Sequence, residues 1–131
     1  MLNPSTADQS VDDQTIRKCM GFARRLGYGS IDIVNLFAFR TRWPSELKDA
    51  GFPVGSENDN HIRAVAAESG GKIVCAWGSN AKGLKRVDDV FDLLKANSAQ
   101  PFALRINAGG VPAHPVMLPY ACTPIPLRTT R

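Results

Sequence analysis

Four short stretches of the chain carry side chains that could hydrogen-bond a ligand or titrate near neutral pH. They are Asn3-Pro4-Ser5-Thr6; Asn35 with Phe37, Phe39 and Arg40 after it; Gly78-Ser79-Asn80; and Asn107, then Gly109-Gly110, leading to His114-Pro115. An asparagine amide can orient water or read a polar edge, and histidine ordinarily titrates close to neutral pH. Each residue also has a plain structural role. Asn3 and Ser5 are turn formers. Asn35 ends a strongly apolar run, where a polar side chain needs a partner, and could simply tie two loops together. A lone histidine such as His114 is commonly structural, although its loop position favours function. His61, beside Asn58, Asp59 and Asn60, reads as part of a solvated helix face.

Two tempting motifs fail. Gly78-Ser79-Asn80-Ala81-Lys82-Gly83 opens like a phosphate loop, but Leu84-Lys85 stands where Lys followed by Ser or Thr is required. Two distant histidines and the scattered Cys19, Cys75 and Cys122 lack metal-ligand spacing, so neither a metal nor another cofactor is expected. Apolar neighbours around the three cysteines point to buried, reduced thiols.

The elements that must position these residues follow from periodicity. Residues 11–27 read as a helix with Ile16, Cys19, Met20, Ala23 and Leu26 on one face, Asp12 or Asp13 as its cap and Gly27 as its stop. Residues 31–36 form a β-branched run that suits a buried strand. A short helix is expected from Pro44 to Ala50, with the proline in its first turn. A second long helix spans 57–69, a second buried strand 72–77, a third long helix 80–97 and a further strand 102–106. The proline-rich remainder after Pro112 reads as mostly irregular. Met1-Leu2-Asn3-Pro4 looks like the end of a strand whose beginning is missing. The expectation is therefore that Met1 is an internal methionine and the first strand is truncated.

Strands separated by helices imply parallel pairing with helices on both faces of the sheet. In such α/β sheets ligands bind beyond the carboxyl ends of the strands, and all four polar stretches fall at such ends. At 131 residues and 44% hydrophobic, the chain suits a single α/β domain. No apolar run approaches the ~18–20 residues of a membrane span, and no signal peptide is visible, so a cytoplasmic protein without membrane partners is expected. A net charge of +4 is compatible with a nucleic-acid or nucleotide partner without requiring one.

Taken together, residues 3–8, 12–17, Asn35-Leu36-Phe37-Ala38 with Arg40, Ala76-Trp77-Gly78, and His114-Pro115 through Leu118-Pro119 resemble domain of unknown function family 1643. That family has no settled activity. More distantly, the layout is similar to the uracil-DNA glycosylase superfamily. The resemblance implies a three-layer α/β/α sandwich around a four-stranded, mostly parallel sheet. It implies that Asn3 holds the attacking water, Asn35 recognises the base, Phe37 or Phe39 stacks on it, and His114 stabilises the departing base. Ser5, Arg40, Gly78 and Ser79 would complete the substrate contacts, with Arg42 and Lys82 able to meet phosphates. Two departures weigh on catalysis. Val116-Met117-Leu118 replaces the serine that normally follows His-Pro, leaving Leu118 as a wedge by analogy alone. The first motif has an amide and no carboxylate. A positioned base typically contributes ~10²–10⁴-fold, so a slow N-glycosylase-type hydrolase is implied at best. Two alternatives stand beside it: a non-catalytic nucleotide or nucleic-acid binding module, and a hydrolase of a free modified nucleoside or nucleotide.

Overall fold

The computed structural model describes residues 1–2, 9–38, 43–68 and 72–127. Helix α1 spans Gln9–Arg25, so Asp12 and Asp13 lie inside its opening turns rather than ahead of them. It ends as its glycines predict. Gly27 adopts φ +88°, its N–H bonds the Arg24 carbonyl at 3.2 Å, and the Tyr28 N–H reaches back to Ala23 at 2.8 Å. This is the left-handed glycine stop that satisfies a helix's last carbonyls. Helix α2 runs Pro44–Asp49 and α3 Asn58–Glu68. Strand β1 is Lys72–Val74, α4 is Lys85–Ala96, and β2 is Gln100–Ala103. The short strands β3 (Ile106–Asn107), β4 (Val111–Pro112) and β5 (Ile125–Pro126) follow.

The protein is a mixed α/β structure with a small sheet ordered β1-β2-β5 and a separate β3-β4 hairpin. β1 and β2 are parallel, with Ile73 opposite Pro101, and α4 supplies the crossover that parallel neighbours require. β5 joins the other edge of β2 antiparallel, with Ala103 opposite Ile125. The nominally irregular tail therefore contributes a strand.

Three other expectations need correction. Residues 31–36 form no strand, and Ile33 is 40% exposed. Among the described residues their backbone partners lie only at the far end: Met1 N–H donates to Val34 O, while Leu36 and Phe37 donate to the Met1 and Leu2 carbonyls. The helix expected over 80–97 splits into a 3-10 turn, Ser79–Ala81, and α4, because Gly78 and Gly83 hold φ near +80° between and before them. The strand expected over 102–106 breaks at Leu104, after which the chain turns into the hairpin.

The main core gathers Leu36, Phe37, Leu47, Ile62, Trp77 and Leu94 between helices and sheet. Cys75 belongs to it, and burial pushes its thiol up to about 12; Cys19 and Cys122 are only partly buried. A second cluster joins Phe22 of α1 to Leu104, Ala113 and Leu118. Here α1 departs from its expected face: Phe22 and Ala23 are buried, whereas Ile16 and Met20 are more than 40% exposed. The cause is the tail. Tyr120 lies against α1 at Gly21, its ring 5.1 Å from that of Phe22 and beneath the Lys18 ammonium at 4.1 Å. Lysine over an aromatic face is a favourable contact.

A Cβ on Gly21 would stand 2.5 Å from Tyr120 Cε1. Alanine ordinarily improves on glycine inside a helix by about 0.8–1 kcal/mol. Gly21→Ala is therefore expected to destabilise the native chain but to stabilise a Tyr120→Ala background by about that amount. Urea midpoints of the four proteins check this.

Candidate functional site

The end of the 31–36 stretch is held by side chains from two helices. Asn58, at the start of α3, donates its Nδ2 to the Asn35 carbonyl at 2.9 Å and the Leu36 carbonyl at 3.1 Å. Arg86, in the first turn of α4 and only 8% exposed, donates Nε to the same Leu36 oxygen at 2.7 Å. Its Nη2 stands 2.7 Å from Asp59 Oδ1, out of line for a well-formed hydrogen bond, so charge attraction rather than alignment holds that contact. A buried guanidinium without an anion would be costly, and Asp59 supplies one. These contacts fix the backbone of Asn35 from behind.

Sequence reasoning missed all three residues. Asn58 and Asp59 were assigned with His61 to a solvated face, and Arg86 drew no attention. One signal was available: Arg86 occupies an inward position, one residue before Val87 and four before Val90, on an otherwise apolar helix face. His61 is exposed, as expected.

His114 follows β4. Its Nδ1 accepts the Val116 N–H at 3.2 Å, capping the 3-10 turn Pro115–Met117. Gly78 packs directly against it. Gly78 N–H bonds the Pro112 carbonyl at 3.0 Å, and a Cβ on Gly78 would stand 3.3 Å from His114 Cβ. At φ +81°, ψ 179°, Gly78 occupies backbone space that is essentially restricted to glycine. Burial lowers the His114 pKa, and the nearby Met1 ammonium lowers it further. The ring is neutral at pH 7. With Nδ1 accepting, its proton sits on Nε2, which can donate without carrying positive charge.

Between residues 30–36 and β1 lies a mainly apolar cleft of about 640 Å³. Asn35 and Pro115 line it, as do Cys19, Cys75 and Met1. Met1 neighbours both key positions: it is bonded across from Asn35 and is electrostatically felt by His114. Asn35, Gly78 and His114 thus lie around the Met1 end of the cleft.

The remaining candidates separate from this group or fall outside the described residues. Phe37 is 2% exposed, with its ring against Phe52 at 5.4 Å, so it offers no free face for stacking. Ser79 is exposed and accepts from Asn107 Nδ2 at 3.4 Å. Leu118 is 5% exposed and packed in the second core cluster, which removes it as a wedge; Met117 beside it is 86% exposed. Asn3, Ser5, Phe39, Arg40 and Arg42 lie outside the described residues.

Two measurements test this geometry. Arg86→Met keeps the side-chain length but removes the bond to Leu36, and should cost about 1.5–3 kcal/mol in urea unfolding. His114 has a lowered folded-state pKa, so below its ordinary 6.5 the unfolded chain binds more protons. The associated stability is complete above pH 6.5 and is lost as pH falls through the folded value. His114→Asn, which can still cap the turn, should flatten that loss when stabilities at about pH 5 and pH 7.5 are compared.

No curated protein and no solved structure matches the chain. A family model described as protein of unknown function (DUF1643) matches residues 1–116, from the Met1–Asn35 contact through His114 and Pro115. The chain belongs to the DUF1643 family.

Proposed function

We propose that this protein binds or acts on a nucleobase, within nucleic acid or a nucleotide, on a uracil-DNA glycosylase-like three-layer α/β/α fold. The observation that carries the reading is the state of His114: a neutral ring, its Nδ1 occupied by Val116 N–H, leaving Nε2–H as a donor. A preorganised neutral donor stabilises negative charge as it develops on a departing base. The parallel β1–β2 pair, and the parallel pattern of hydrogen bonds between Met1 and residues 34–36, support the sheet arrangement. In this reading Asn35 recognises the base edge, Asn3 holds water, and the stacking role passes from the buried Phe37 to Phe39. Arg40, Arg42 and Lys82 meet phosphates, and Ser5, Gly78 and Ser79 border the pocket.

A second reading, binding without cleavage, is favoured by the group beside His114. The charge that perturbs its ring is the Met1 ammonium, and no carboxylate is involved. Without a base to take the proton from water, the chemistry forgoes the ~10²–10⁴-fold such a group contributes.

Incubating the protein with duplexes containing uracil and modified bases tests both readings. Slow base release that Asn35→Ala and His114→Ala abolish is the outcome expected of an enzyme. Binding without release that weakens steeply with salt points to a nucleic-acid module, because phosphate contacts release counterions. Salt-insensitive binding of a nucleotide points to a small-molecule site. Neither release nor binding across the panel refutes the proposal.

A further inference from the structure

We propose that the cleft between residues 31–34 and β1 is a slot for one more β-strand: an extended, apolar segment of polypeptide joined to the Met1 amine and running parallel to β1.

Four observations converge on this occupant. The first is register. Met1 N–H donates to Val34 O and Leu36 N–H donates to Met1 O, the pattern of a parallel ladder with Met1 opposite Asn35. Continued backwards, the next residues would face Val34, Ile33, Asp32 and Ile31 in turn. The second residue before Met1 would accept the Val34 N–H. The second observation is the other wall. β1 pairs with β2 along one edge, and among the described residues no strand occupies its other edge. Cys75 N–H points to β2, bonding Phe102 O at 2.7 Å, so strand alternation turns the Val74 N–H toward the cleft.

The third observation is the lining. Ile31, Ile33, Val34, Ile73, Val74 and Phe102 border a space suited to alternating apolar side chains. Ile33 and Val74 are left 40% and 44% exposed on its two sides. The fourth is the amine itself. The Met1 nitrogen is buried in the cleft wall, where burial lowers its pKa. An amide at that nitrogen would keep the bond to Val34 O and remove the buried charge.

A small ligand fits this space less well than a strand. The walls are two stretches of backbone aligned for ladder hydrogen bonds, and a passing polypeptide satisfies such edges along its whole length. The slot is distinct from the Asn35–His114 rim, and the inference does not rest on any activity there.

The test compares the 131-residue chain with versions carrying Ile-Val-Ile-Val or Gly-Ser-Gly-Ser ahead of Met1. The apolar extension should raise the urea midpoint, lower binding of an apolar dye, and slow amide exchange at Val34 and Val74 by about tenfold or more. The polar extension should do none of these to a comparable degree. A single glycine inserted between Met1 and the apolar tetrapeptide should forfeit most of the protection, because a one-residue slip turns every side chain to the opposite face. The inference is overturned if both tetrapeptides act alike, or if protection appears with the free apolar peptide but not with the fused one.

Discussion

The Arg86 guanidinium is the contact on which the candidate site depends. It joins three elements at one point: α4, which carries it; α3, through Asp59; and the backbone at Leu36, through a 2.7 Å bond. With Asn58 also reaching the carbonyls of Asn35 and Leu36, a stretch that lacks regular structure is still held in one place. A buried cation is tolerated because its nearest anion is Asp59, itself partly open to water, and because its Nε satisfies a carbonyl that no ladder engages. The core residues Leu36 and Phe37 follow directly from this anchor, each only 2% exposed. Polar fixation and apolar burial here act on consecutive atoms of one chain segment.

His114 depends on a different constraint, close backbone approach. Gly78 has no side chain and a conformation that other residues avoid, so the end of the β1 segment can pass directly beside the histidine. The ring is then flanked by backbone and by Pro115, which desolvates it and keeps it neutral. Its chemistry therefore follows from a missing methyl group on another segment and from the Val116 N–H that selects its tautomer.

Much of the fold was legible in the sequence because it rests on periodicity. The positions of α1, α3 and α4, the glycine stop after Leu26 and the parallel β1–β2 pair all follow from local pattern. What was not legible came from long-range partners. The apolar alternation of Ile31–Val34 suggests a strand, but a strand exists only where neighbours supply a ladder, and here Met1 and Leu2 reach only its end. Pairing of Ile125 with Ala103 could not be read from a proline-rich tail. The buried face of α1 was misjudged because its cover, Tyr120, comes from about a hundred residues away. At the site, Asn35 and His114 stood out as polar residues ending apolar runs. Asn58, Asp59 and Arg86 did not, since a charged residue near a helix start usually faces water.

The stretch after Pro115 carries a consequence for where this fold can be divided. The family match stops at residue 116, yet three structural supports come from beyond it: Leu118 in the second core, Tyr120 on α1, and β5 on the outer edge of β2. A protein trimmed to the shared region would uncover Phe22 and bare both sides of a two-stranded remnant. The boundary of common ancestry and the boundary of autonomous folding do not coincide in this chain. Fragments, fusions or chimaeras made from it need to keep residues 117–127 with the helix they shelter.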